Sequence, residues 1–87
     1  MRGGLTRAQK ASIEQQETIS AARETYAQMQ KDMPADDITP ELYLYAALYE
    51  FLMYDEMKAV VADMRRKQPE NEDIKALEAW VTTRASH

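Results

Sequence analysis

The chain has 87 residues, a net charge of −4, no cysteine and a single histidine, His87. This length predicts one domain with a small core, and the lack of cysteine excludes disulfides, thiolate metal ligands and cysteine nucleophiles. Only two glycines and three prolines interrupt a composition rich in helix-forming residues, which predicts an all-α fold. No apolar run resembles a signal peptide or a membrane span, so we expect a soluble, cytoplasmic protein that does not contact membranes.

The charges are unevenly distributed along the chain. Residues 32–63 contain eight acidic residues and one basic residue, Lys58, for a net charge of −7, whereas the parts on either side are weakly basic. An acidic middle argues against nucleic acid as a partner, because phosphate contacts need a basic face. Solvated carboxylates collected at helix starts, where they complement the helix dipole, account for most of this pattern.

Residues 1–4 are predicted to be disordered, and residues 5–87 to form the helical domain. Thr6 and Gln9 have the spacing of a capping box at the start of a first helix. Apolar side chains then recur every three or four residues, most regularly from Ile19 to Met33, and Pro34 ends the helix. This pattern leaves open whether the first helix is one rod or two pieces.

The stretch of residues 42–54 is the most apolar part of the chain, with Glu50 as its only charge. Thr39 as the cap, Pro40 in the first turn and Glu41 near the dipole favour a helix here. A helix that is apolar on nearly every side needs cover on nearly every side. One predicted sector, which suits the core, comprises Leu44, Tyr45, Leu48, Phe51 and Leu52. The other comprises Leu42, Ala46, Tyr49 and Met53, and it is covered by the first helix, by a second copy or by a foreign peptide.

Two further helices follow in the pattern. Asp55 is the expected cap of a third helix, which ends before Pro69, and Asn71 is the expected cap of a fourth. The apolar stripe of the third helix is predicted to contain Met57, Val60, Val61 and Met64, and that of the fourth Ile74, Leu77, Trp80 and Val81. Linkers this short predict antiparallel hairpins.

The chain matches itself at a spacing of 35 residues. Residues 27–34 lie over residues 62–69, each ending in proline, and Leu42, Tyr45 and Ala46 lie over Leu77, Trp80 and Val81. Helix-pair repeats have periods of this size. One unit, residues 36–69, resembles the tetratricopeptide repeat. The positions that carry this resemblance are Leu44, Leu48, Tyr54, Val61 and Pro69, whereas Glu41, Tyr45 and Met57 depart from the family pattern.

The resemblance implies an array of four helices in antiparallel hairpins, and a small four-helix bundle is the alternative. It also implies a protein-binding function. Members of the family that clamp a carboxylate tail place Lys, Asn and Arg along their groove, and the matching positions here are Leu42, Ala46, Tyr49 and Glu50. A carboxylate clamp is therefore not expected.

No catalytic pattern stands out, because the sequence has no thiol, no phosphate-binding glycine loop and no metal-spaced ligands. We therefore expect no cofactor, no metal and a non-catalytic protein–protein interaction module, such as an adaptor, an assembly chaperone or a subunit of a complex. Its expected partner is an amphipathic helix or peptide with a basic flank. The alternative is a structural homo-oligomer that uses the same apolar face. The residues expected to bind the partner are Leu42, Ala46, Tyr49, Glu50, Met53, Leu77 and Val81.

Overall fold

The computed structural model describes residue 4 and residues 6–85, and within these residues the fold is all-α. The four helices are α1 (Arg7–Asp32), α2 (Thr39–Glu50), α3 (Tyr54–Lys67) and α4 (Glu72–Ala85). The predicted fold class is confirmed. The predicted disorder of residues 1–4 falls almost entirely outside the described residues.

Helix α1 is one continuous rod, about 39 Å long at 1.5 Å per residue. It begins with the predicted capping box, in which the Thr6 hydroxyl accepts the Gln9 N–H at 3.1 Å and the Gln9 side chain accepts the Thr6 N–H at 2.8 Å. Its buried residues, Ile19 and Ala22, lie in the middle of the helix. The first turns of α1 therefore extend beyond the core.

The predicted caps have mixed outcomes. Asn71 caps α4 as predicted, because its side-chain oxygen accepts the Asp73 N–H at 2.9 Å. Thr39 is not a cap; it is the first residue of α2, and Asp37 accepts its N–H at 2.8 Å. Hydrogen bonds from Thr39 hold the pKa of the Asp37 carboxyl below its usual value. The predicted cap of α3 is also wrong, because that helix begins at Tyr54 and Asp55 lies in its first turn.

The helices form a row and not a closed bundle. Across the described residues, Cα atoms approach within 8 Å only between helices that are consecutive in the chain. The molecule is correspondingly flat, with extents of 58 × 33 × 13 Å. The core lies where neighbouring helices of this row pack together. It comprises Ile19, Ala22, Leu44, Leu48, Met57, Val60, Val61, Met64, Ile74 and Val81.

Glu41 is the only charged side chain that the described part of the chain buries completely. Its Oε1 accepts a hydrogen bond from Lys67 Nζ of α3 at 2.9 Å. Its Oε2 accepts hydrogen bonds from two side chains of α1, the Gln30 amide at 2.9 Å and the Tyr26 hydroxyl at 3.2 Å. A buried carboxylate is tolerated only when it is paired and hydrogen-bonded, and these partners meet that need.

The Lys67 ammonium completes this network. Besides Glu41, it donates to the Gln30 side-chain oxygen at 2.8 Å and to the Asp37 carbonyl at 3.0 Å, so each of its three protons has an acceptor. Burial raises the pKa of Tyr26 above its usual value of 10.0, so its hydroxyl stays protonated and donates at neutral pH. The network joins α1, the turn after it, α2 and α3 at one point.

This network also determines which side of α2 faces the core. The helix is apolar nearly all round, and its only charges are Glu41 and Glu50. These residues are nine positions apart, which places them about 180° apart around the helix axis. Because Glu41 is held inward, Glu50 and its neighbours face outward.

Leu48 lies at the centre of the core with no exposed surface, and Ile13 is 42% exposed on the projecting part of α1. We expect Leu48→Ala to lower the free energy of unfolding by about 3–4 kcal/mol, because it removes buried contacts and leaves a cavity. Ile13→Ala should change it by less than about 0.5 kcal/mol. Urea denaturation of the two variants tests this, and equal losses would contradict the assignment of the core.

Candidate functional site

The outward side of α2 and the turn after it carry most of the exposed apolar surface. Five large hydrophobic side chains are exposed in the described part of the chain, and four of them lie between residues 42 and 52. These are Leu42, Tyr43, Tyr49 and Leu52, with exposed fractions of 44–55%. Together with Ala46, they form a surface that we call the α2 face. A helix side that contacts only water is normally polar, so this face is atypical.

Four of the seven residues predicted to bind a partner lie on or beside the α2 face. Leu42, Ala46 and Tyr49 belong to it, and Glu50 is exposed at its edge. Helix α1 therefore does not cover this sector. The remaining three pack inward: Met53 and Leu77 are partly buried against the core, and Val81 is fully buried.

Val81 was predicted to bind the partner together with residues of α2, and its burial does not agree with that prediction. Helices α1 and α3 end 35 residues apart, at Asp32 and Lys67, as the internal match requires. The turn after α3 is two residues shorter than the turn after α1, so α2 and α4 begin 33 residues apart. At that offset Val81 corresponds to buried Leu48 and not to exposed Ala46. Val81 therefore cannot contribute to a docking surface.

The contact between α2 and α4 at this face is aromatic. The Tyr49 ring stacks on Trp80, with centroids 6.0 Å apart and an interplanar angle of 18°, and Tyr54 meets Trp80 edge-on at 6.3 Å. The Arg84 guanidinium lies 4.0 Å from the centroid of the Trp80 ring. Burial raises the pKa of the neighbouring Tyr45 above 10.0. Tyr49 is thus held by stacking at one edge while 46% of its surface stays exposed.

Leu52 has the only positive φ in the described residues, 53°. It follows the C-terminus of α2, where the Leu52 N–H bonds to the Tyr49 carbonyl at 3.0 Å and the Met53 N–H to the Leu48 carbonyl at 3.1 Å. This is the Schellman motif, whose left-handed position usually holds glycine because a Cβ is strained there. Although it was predicted to lie in the core, Leu52 is 55% exposed, so little burial offsets the strain.

Two concave surfaces adjoin the α2 face. A shallow groove of about 470 Å³ runs between α1 and α2, and it is lined by Thr18, Ala21, Ala22, Tyr43, Ala46, Ala47 and Glu50. A cleft of about 640 Å³ lies beside Leu52 at the end of α4 and is lined also by Met53, Tyr54, Asp55, Glu56, Arg84 and Ala85. Both are open surfaces of mixed character, which suits macromolecular contacts better than an enclosed small-molecule site.

Several of these residues were not identified from the sequence. Tyr43 lies about 100° from Leu42 on the helical wheel, at the margin of the predicted sector. The unusual position of Leu52 could have been inferred from the sequence. The chain reverses direction after α2 without a glycine, so another residue must occupy the left-handed position of the turn. The stacking of Tyr49 on Trp80 joins side chains 31 positions apart, and no local pattern indicates it.

No group of three or more His, Cys, Asp and Glu side chains is arranged to hold a metal ion among residues 6–85. Within the same range no helix is both long and apolar enough to cross a bilayer. The carboxylates predicted to collect at helix starts do so at Asp55, Glu56, Glu72 and Asp73.

Replacing Leu52 tests the strain at the turn. Leu52→Gly removes the clash of a Cβ at positive φ, so we expect the free energy of unfolding to rise by about 0.5–1 kcal/mol. Leu52→Ala keeps the Cβ and serves as the matched control, with no expected gain. Both are measured by urea denaturation, and a loss of stability in the glycine variant equal to that in the alanine variant would contradict the strain.

Comparisons with protein-family models, with curated proteins and with solved structures found no match to this chain.

Proposed function

We propose that this protein is a cytoplasmic, non-catalytic protein–protein interaction module and that the α2 face is its docking surface. The observation that carries the proposal is the concentration of exposed large hydrophobic side chains between residues 42 and 52. Contiguous apolar surface that stays in water mostly marks a site where another molecule binds. Aromatic residues are enriched at such interfaces, and this face holds two tyrosines.

The strain at Leu52 supports the same surface. A leucine at positive φ costs about 1–2 kcal/mol, and its side chain is more than half exposed. Strained residues cluster at functional sites, where the side chain itself is needed. A bound partner would bury Leu52 and offset the strain.

The rigidity of the α2 face also supports the proposal. Stacking on Trp80 holds Tyr49, and the Glu41 network holds the orientation of α2. A surface that is ordered before binding loses less entropy on association than a mobile one. The expected partner, an amphipathic helix, buries its apolar side on such a surface.

A self-associating face is the rival function, and the charge distribution disfavours it. Of the eight acidic side chains in residues 32–63, Glu41, Glu56 and Asp63 pair with basic residues from outside that stretch, whereas Glu50 is exposed beside the α2 face. Two copies meeting through this face would bring their Glu50 carboxylates into one interface, where like charges are repulsive. A different protein as partner avoids that repulsion.

Aspartate substitutions at two equally exposed positions test the docking surface. Leu42 and Ile13 are 46% and 42% exposed, the first on the α2 face and the second on the projecting part of α1. We expect Leu42→Asp to abolish association with the partner, because it places a charge within an apolar contact, whereas Ile13→Asp should leave association intact. Affinity purification with quantitative mass spectrometry identifies the candidate, and titration of that purified protein measures binding.

Tyr49→Ala provides a second measurement on the same surface. We expect it to weaken binding by about 2 kcal/mol or more, as central aromatic residues commonly do, and to leave the helix content by circular dichroism nearly unchanged. Unfolding of this variant would show that Tyr49 acts in the core. Equal binding by the Leu42→Asp and Ile13→Asp variants, or a stable dimer of the pure protein that Leu42→Asp dissociates, would contradict the proposal.

A further inference from the structure

The groove between α1 and α2 differs in charge from an ordinary surface groove. Four of the seven residues that line it are alanines, which leaves space for a bulky side chain, and its lining contains one charge, Glu50, and no cation. Tyr43 and Ala46 belong both to this groove and to the α2 face. The groove and the face therefore form one continuous surface.

Exposed glutamates of α1 lie beside the residues that line this groove. Thr18 and Ala21 line the groove, and helical neighbours three or four positions away share their side of the helix. These neighbours include three exposed glutamates, Glu14, Glu17 and Glu24. No ion pair within the described residues involves any of the three.

Cations are few around this groove, and Lys10 of α1 lies one turn before Glu14. From residue 11 to residue 30, the only basic residue of α1 is Arg23, whose guanidinium pairs at 3.3 Å with Glu56 of α3. No Lys or Arg occurs from residue 33 to residue 57, which includes all of α2. Arg7 and Lys10 lie farther along α1, beyond Glu14, and Arg84 lies on Trp80 and does not line the groove.

From these observations we propose that the partner helix seated between α1 and α2 is basic: its bulky aliphatic side chains lie over the four alanines, and lysines or arginines on its two flanks pair with Glu14 and Glu17 of α1 and with Glu50 of α2. The inference rests on the proposed function and specifies its ligand. Opposite charges on the two sides of an interface accelerate encounter and reject wrong partners. The walls of this groove would reject an acidic helix and a second copy of the chain's own acidic middle.

Two synthetic amphipathic peptides of about 18 residues test the proposal, since this length forms helix readily. They share the same leucine stripe, and one has lysine and the other glutamate at the flanking positions. Isothermal titration calorimetry should show that the lysine peptide binds about tenfold more tightly at low ionic strength, a ratio that three exposed ion pairs can supply. The preference should shrink as salt is added, because salt screens exposed charges.

Two sets of charge substitutions show which part of the protein causes the preference for the lysine peptide. The variant Glu14→Gln/Glu17→Gln/Glu50→Gln should lose most of the preference for the lysine peptide. Glu70→Gln/Glu72→Gln/Asp73→Asn changes the net charge equally at exposed positions near the start of α4 and should keep it. Loss of the preference in both variants would mean that overall charge, and not this groove, selects the peptide, and would overturn the inference.

The remaining outcomes separate the two proposals. If both peptides bind equally and Leu42→Asp abolishes their binding, the α2 face is a docking surface and the inference about charge is wrong. If neither peptide binds, or if sedimentation shows a dimer that buries the groove, both proposals are overturned.

Discussion

The buried ion pair between Glu41 and Lys67 is the interaction on which the rest of the structure depends. Helix α2 is apolar on nearly every side, so burial of apolar surface alone gives it no preferred rotation about its axis. The carboxylate of Glu41 needs polar partners, and it finds them only where Lys67, Gln30 and Tyr26 converge. That requirement favours the rotation that turns Glu41 inward.

The exposed apolar surface is a consequence of that selection. With Glu41 inward, Leu44 and Leu48 enter the core, and the opposite side, with Tyr43, Ala46 and Glu50, meets solvent. A buried ion pair adds little net stability because both charges lose their hydration. Here its contribution is conformational specificity, and the same geometry that stabilises one arrangement of α1, α2 and α3 leaves an apolar face exposed to solvent.

Local features of the fold follow directly from the sequence, whereas long-range features do not. The capping box at Thr6, the cap at Asn71 and the stop at Pro34 depend on residues within a few positions of one another, and all three were predicted. The role of Glu41 was missed because its partner, Lys67, is 26 positions away. From sequence alone, a glutamate in the first turn of a helix is explained by the helix dipole.

In the candidate site too, local features follow from the sequence and long-range features do not. The helical period is enough to place Leu42, Ala46, Tyr49 and Glu50 near one another on a single helix, and all four are exposed there. Val81 was misplaced because its position depends on a two-residue difference between the lengths of two turns, which rotates the buried side of α4 relative to the internal match. Leu52 was assigned to the core by extending the helical pattern past the residue where α2 ends.

Thiol labelling tests most directly whether the Glu41 network sets the orientation of α2. The chain has no cysteine, so single substitutions Leu42→Cys and Leu44→Cys report the outward and inward sides of the helix. With the network intact, the thiol at position 42 should react as fast as a model peptide and the thiol at position 44 far more slowly. In chains that also carry Glu41→Leu and Lys67→Met, the two rates should converge, because α2 no longer has an inward charge whose partners fix its rotation. An unchanged ratio of the two rates would contradict the account.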